Sequence, residues 1–150
     1  MSDLDELYQE LILDHNKNPR NFKALDSANR MAEGHNPLCG DKFTIYIKLE
    51  DGVVVDIGFQ GSGCAISKAS ASLLTERIKG KNKTEAMNLF EIIHDFLTGD
   101  GGTKIDRRLI GKLSALEGVR NFPSRVKCAT LAWHTLKSAL EDQKTVIFTE

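Results

Sequence analysis

Three cysteines and one aspartate stand where this chain changes direction. Cys39 and Asp41 share the run NPLCGDK (residues 36–42), Cys64 follows GSG, and Cys128 follows the basic run RVK. A disulfide has no use for the aspartate, and a solvated turn has no use for the cysteine. An odd number of cysteines excludes a complete disulfide framework. In a reducing compartment the roles left to a thiol are core filler, metal ligand or reactive group. Glycines beside the thiols, at Gly40, Gly61 and Gly63, let a metal or a partner approach the backbone closely. Three thiolates and a carboxylate make up the number of ligands that tetrahedral zinc prefers, although the spacing lacks the C-x2-C pair of a zinc finger. Such a centre is formally anionic. Arg125 and Lys127, just before Cys128, are placed in sequence to offset that charge, the alternative being an ordinary solvated basic pair.

The elements that must hold these residues are read from periodicity. Apolar residues at Leu4, Leu7, Tyr8, Leu11 and Ile12 follow helical spacing, with Ser2 and Asp5 as a capping box. Residues 20–40 read mainly as loop, with room for one short edge strand. From Lys42 onward Phe43, Ile45, Ile47 and Leu49 alternate with polar residues. After Asp51-Gly52 the alternation resumes at Val53, Val55, Ile57 and Phe59, so the spacing predicts an antiparallel hairpin with one buried face. Helices are expected over 64–79, closed by Gly80, and from Thr84 with Ala86, Leu89, Phe90, Ile93 and Leu97 facing inward. A glycine-rich run, TGDGGTKID, precedes a shorter helix carrying Leu109, Leu113 and Leu116. A last helix is expected from about Cys128, with Ala132, Trp133, Leu136 and Leu140 on one face, and the terminal TVIFT reads as strand or apolar tail. Cys64 and Cys128 would both then sit at helix N-termini, where the dipole favours a thiolate. The fold class is α+β: a small antiparallel sheet of about three strands with helices packed on one face.

Composition narrows the function. With 150 residues and a net charge of −1, the chain suits one domain, and it lacks the basic stripe of a general nucleic-acid binder. No apolar run approaches the ~20 residues that cross a bilayer. The acidic opening MSDLDELYQE has no hydrophobic core of a secretory signal, so a cytoplasmic protein is expected. The histidines, at 15, 35, 94 and 134, show no pairing in the sequence. His35 is expected in a solvated loop, His94 and His134 at helix surfaces or caps. Ser67, Ser70 and Ser72 are expected to serve close helix packing.

The runs NPLCGD, FQGSGCAIS and RVKCATLAW closely resemble the U-type iron–sulfur assembly proteins, the IscU/SufU/NifU N-terminal family. The resemblance spans nearly the whole chain and implies an α/β sandwich. Carried over position by position, it implies an active site of Cys39, Asp41, Cys64 and Cys128. Three features are similar to the SufU branch. Lys127 stands where IscU proteins have a histidine, FPSRVK stands where they have a proline-rich chaperone-recognition segment, and a segment at about 99–117 is inserted in the single domain 1–150. That branch implies a zinc-dependent sulfurtransferase that accepts persulfide sulfur from a SufS-type cysteine desulfurase, alongside other iron–sulfur assembly proteins. It further implies that a partner histidine takes a zinc position and frees Cys39 to carry sulfur. The alternative is a scaffold on which the same ligands hold a transient 2Fe–2S cluster, the carboxylate loosening it for release. A structural zinc site is a third reading, disfavoured because such sites are usually closed by cysteine and histidine alone.

Overall fold

The structure, a computed structural model, describes residues 3–99, 107–142 and 146–149. The capping box expected of Ser2, and residues 100–106 of the glycine-rich run and inserted segment, lie outside the described residues. The elements in chain order are α1 (Asp3–Lys17), β1 (Arg30–Asn36), β2 (Asp41–Glu50), β3 (Val53–Ser62), α2 (Ala65–Ile78), α3 (Lys83–Thr98), α4 (Arg107–Ile110), a 3-10 segment (Gly111–Asn121), α5 (Pro123–Leu140) and β4 (Ile147–Phe148). The expected α+β architecture is present. The strands run β3-β2-β1-β4, antiparallel except that β4 lies parallel to β1. TVIFT thus contributes a two-residue strand, and β1 is flanked on both sides rather than lying at an edge. Helix α5 packs on β1 and β2 while α2 packs on β3, so one sheet face is covered. No described helix is long and apolar enough to cross a membrane.

The hairpin forms as its pattern dictates, with one correction. Asp51 (φ +51°) and Gly52 (φ +77°) both take positive φ, as a two-residue turn matched to strand twist requires. On β2, Phe43, Ile45 and Ile47 are buried. On β3 the register shifts, because Lys48 pairs with Asp56 whereas Leu49 pairs with Val54. Val55 is the extra residue. A one-residue insertion flips the facing of what precedes it, so Val54 is buried and Val55 is 38% exposed, while Ile57 and Phe59 keep their expected places.

A second correction concerns residues 107–121. The apolar positions that reach the core are Ile110, Leu113, Leu116 and Val119, spaced every third residue, and Leu109 is exposed. A repeat of three matches the 3-10 helix, whose i and i+3 side chains eclipse, and the chain adopts it over Gly111–Asn121. Helix α3 starts one residue before Thr84, with Asn82 and Glu85 forming the capping box. Gly80 follows the end of α2 with φ +91°, as its position implies.

Helix α5 comes close to β1 because Gly34 lacks a side chain. A Cβ there would collide with Thr135 Oγ1 and lie 3.0 Å from Leu131 Cδ1. Gly34→Ala is therefore expected to lose about 1–3 kcal/mol of stability by overpacking, measured by urea unfolding.

The α1–α2 contact holds a buried histidine. His15 Nδ1 lies 2.7 Å from Ser72 Oγ, and Nε2 lies 3.5 Å from Glu76 Oε1. Burial, then the charge of Arg20, holds its pKa below the ordinary 6.5; Lys112 adds to this, while Glu76 and Asp14 oppose it. His134 is shifted the same way, by burial, then by His94 and Lys137. As pH falls through 6.5 the unfolded chain takes up protons that these two rings refuse in the fold. Stability is thus expected to be full above that value and to decline below it. His15→Gln should flatten the decline in urea midpoint between about pH 7 and pH 5.

Candidate metal centre

The alternation that buries Phe43 also buries the residue two before it. Asp41 is the first residue of β2, on the core face, and only 2% exposed. Opposite it Asn36 ends β1 on the same face, and the Asn36–Asp41 pair closes the loop 37–40. Cys39 rides on that loop, exposed, with its N–H donating to Asn36 O at 3.2 Å and Gly40 turning the chain at φ +70°.

Cys64 arrives from the far end of β3. It caps α2, its Sγ accepting from Ser67 N at 3.5 Å. Its own N–H donates to Asp41 Oδ1 at 2.9 Å, and its Sγ lies 3.9 Å from Asp41 Oδ2. Cys128 comes from the helical layer, on the α5 face that meets β1. Its Sγ is 3.2 Å from Cys39 Sγ and 3.6 Å from Asn36 Nδ2, which donates to it. Ligand atoms of Cys39, Asp41 and Cys128 all lie within 4.8 Å of one another. The fold thus brings together the four residues singled out in the sequence, with Cys64 joined to the cluster through Asp41.

Some expectations fail here. Helix α5 begins at Pro123, so Cys128 is in its second turn, away from the N-terminal dipole. Burial pushes the Cys128 thiol well above its ordinary range, and its contact with Cys39 and the charges of Cys64 and Asp41 push the same way. Arg125 lies exposed over the Phe122 ring at 4.9 Å, and Lys127 lines a separate cavity of about 480 Å3 beside His94, Arg120 and His134. Neither side chain has a hydrogen bond to the four residues of the cluster, so the charge offset expected of them would act through space and is left open by these contacts. His35 belongs to β1, not a loop, and faces away from the cysteines toward Phe148, ring centroids 5.5 Å apart. His94 and His134, which show no pairing in the sequence, meet edge to face at 5.4 Å.

Asn36 is a further residue of the site, outside the four that the motifs single out. Its Oδ1 is buried without a partner among the described residues, while Nδ2 supports Cys128. The signal lay in the pattern Ala32, Gly34, Asn36, which shares the core face of β1.

The donor set suits a thiophilic cation. It has three thiols, a carboxylate fixed by a backbone N–H, and an amide that donates to the most buried sulfur. Gly63 keeps that carboxylate in place, since a Cβ there would lie 2.6 Å from Asp41 Oδ1 and 2.8 Å from Ser67 Oγ. Gly63→Ala is expected to weaken binding of added Zn2+ by about 10–100-fold, as loss of outer support does elsewhere. Competition with a chromophoric chelator measures this.

Comparison with known proteins places this geometry in a family. The family model described as the NifU-like N-terminal domain matches residues 7–129. The zinc-dependent sulfurtransferase SufU of Bacillus subtilis is 40% identical over 144 residues, which cover 95% of each chain. The iron–sulfur cluster assembly scaffold protein IscU of Thermotoga maritima is 43% identical over 136 residues, covering 90% of this chain and 93% of its own. Among solved structures, a putative iron–sulfur cluster assembly scaffold protein for the SUF system from Fervidobacterium islandicum superposes with a TM-score of 0.82 at 36% identity. That match covers 90% of this chain and 97% of the other. The chain belongs to the NifU-like N-terminal domain family, the U-type iron–sulfur cluster assembly proteins.

Proposed function

We propose that this protein is a zinc-dependent sulfurtransferase of iron–sulfur cluster biogenesis, accepting sulfur from a SufS-type cysteine desulfurase. The observation that carries the reading is the convergence of Cys39, Asp41, Cys64 and Cys128, with Cys39 alone exposed. The similarity to SufU supports zinc as the metal. Cys39, Asp41, Cys64 and Cys128 would hold it, and a bound zinc ion deprotonates the thiols that coordinate it. Arg125 and Lys127 would contribute positive potential to the approach of a partner rather than direct contacts.

Cys39 is the acceptor. Its exposed Sγ attacks the outer sulfur of the desulfurase persulfide, forming a new S–S bond. The donor's own S–S bond breaks, and the donor cysteine leaves as a thiolate. Asp41 has a different duty. It stays in the β-ladder while the loop carrying Cys39 moves, so the remaining ligands stay assembled. Cytoplasmic desulfurase and other assembly proteins are the expected partners; membrane and nucleic acid are not.

The scaffold reading remains as a second function because relatives of comparable identity carry that description. On it, the four residues hold a 2Fe–2S cluster as cargo, and the carboxylate eases its release.

Anaerobic purification with metal analysis, followed by a desulfurase rate assay, tests the proposal. The expected result is about one zinc per chain, a desulfurase stimulated by the protein, and loss of sulfur acceptance in Cys39→Ser. Iron with sulfide and no stimulation would overturn it, as would a Cys39→Ser protein that transfers sulfur fully with zinc bound. Asp41→Ala separates the two functions: a transferase loses metal and activity, whereas a scaffold holds its cluster more tightly.

A further inference from the structure

Sulfur accepted at Cys39 must leave, and a second thiol stands directly behind it. Cys128 Sγ is 3.2 Å from Cys39 Sγ. That is sulfur in contact with sulfur, well outside the ~2.05 Å of a disulfide, so the two are separate thiols. Cys64 offers no such contact; its sulfur neighbours are Asp41 Oδ2 at 3.9 Å and Ser67 Oγ at 3.4 Å. The thiols in contact differ sharply in access. Cys39 is exposed, while Cys128 is 2% exposed and held by the Asn36 amide.

We propose that Cys128 is a resolving thiol: it attacks the inner sulfur of the Cys39 persulfide and releases the outer sulfur as sulfide. The inference rests on Cys39 as sulfur acceptor. Thiol–disulfide displacement runs in line, with the nucleophile opposite the leaving sulfur. Cys128 contacts Cys39 from the core side, so the added sulfur extends toward solvent on the opposite side. That places the inner sulfur in front of Cys128 and the leaving sulfur in water. Attack on the outer sulfur would instead move it onto a buried residue with no exit. Sulfide is also a better leaving group than an alkyl thiolate, which favours the same direction.

The step balances without an outside oxidant. Cys39–S–SH and Cys128–SH give Cys39–S–S–Cys128 and H2S in sum: the hydrosulfide leaves on the solvent side and takes its proton from water, while the Cys128 proton passes to the neighbouring Asp41 carboxylate and from there to solvent. The outer sulfur gains two electrons, and the two cysteine sulfurs lose one each. Return to the starting state needs a dithiol reductant, which becomes a disulfide as it opens the Cys39–Cys128 bond. The step also needs Cys128 free of metal. Metal occupancy thereby decides whether sulfur leaves as a persulfide handed to another thiol or as sulfide.

The experiment incubates the full-length protein anaerobically with a cysteine desulfurase and one equivalent of L-cysteine, without added reductant. It uses protein as purified and protein treated with a metal chelator. After alkylation, intact mass and peptide mapping read the state of each cysteine, and a colorimetric assay reads sulfide. The expected result, at least after chelation, is a Cys39–Cys128 disulfide in amounts equal to released sulfide. Cys128→Ser and Cys128→Ala should keep one extra sulfur on Cys39, with sulfide at the level seen without acceptor. A wild-type protein that retains the persulfide in both samples overturns the inference and leaves the acceptor reading standing. Equal sulfide release from the Cys128 variants overturns it too. If Cys39 takes up no sulfur in any of the proteins, the acceptor reading fails and this inference falls with it. The wild-type masses decide between disulfide and persulfide even where a variant does not fold.

Discussion

A carboxylate on the core face of a β-sheet is the constraint around which the site is built. Strand alternation puts Asp41 in line with Phe43, Ile45 and Ile47, and it is nearly as buried as they are. An isolated carboxylate there would be costly unless hydrogen-bonded or paired with a cation. The protein supplies part of the compensation through the Cys64 N–H. Three thiols close around it supply no positive charge. The donor set would be completed by a cation, and Cys39, Asp41 and Cys128 have ligand atoms close enough together to hold one.

Three elements meet there, one held by a strand pair and two by close approach at a bare glycine. The β1–β2 loop is closed by the Asn36–Asp41 pair. The β3–α2 junction reaches Asp41 because Gly63 has no side chain to hold it off. Helix α5 reaches β1 because Gly34 is also bare, which brings Cys128 against Asn36 at the next inward position of the strand. The buried serines of α2 belong to the same scheme. Ser70 donates to Ala129 O on α5 at 2.6 Å, and Ser72 anchors His15 and the N–H of Arg20. Small residues set the distances between layers, and the layers set the ligand distances.

Much of this was legible in the sequence, and the misreadings have physical causes. Period-2 alternation gave the hairpin and its turn, but a bulge is invisible to alternation, so Val54 and Val55 were exchanged in facing. The four chemical residues were recognisable from their types, their glycine neighbours and their motif resemblance. Their environments were not. The residue before Pro123 disfavours helix, so NFPSRVK reads as an extended connector and Cys128 as a helix start, whereas Pro123 itself occupies the first helical position. That error reversed the expected effect on its thiol. The helical reading of residues 107–121 assumed a period of 3.6 where the buried residues repeat every third position. Contacts between distant segments, such as His15 with Glu76 or His94 with His134, carry no local signature at all.

The graded burial of the three thiols would let one site serve both halves of the proposed function, holding a metal and handling sulfur. Cys39 is exposed, Cys64 is half-buried at a helix cap, and Cys128 is enclosed. A single uniform environment could not do both, because a thiol shielded enough to be a lasting ligand cannot reach a partner's persulfide. Gly40 separates the two duties within two residues. On one side Asp41 is fixed by the ladder of β2, while on the other Cys39 sits on a loop whose positive φ at Gly40 needs no side-chain accommodation. Movement of Cys39 therefore leaves Asp41 and its bond to Cys64 in place. On the proposed function, the short spacing of thiol and carboxylate in NPLCGDK divides the labour: the ligand that would move and the one that stays fixed are neighbours, with a single glycine between them.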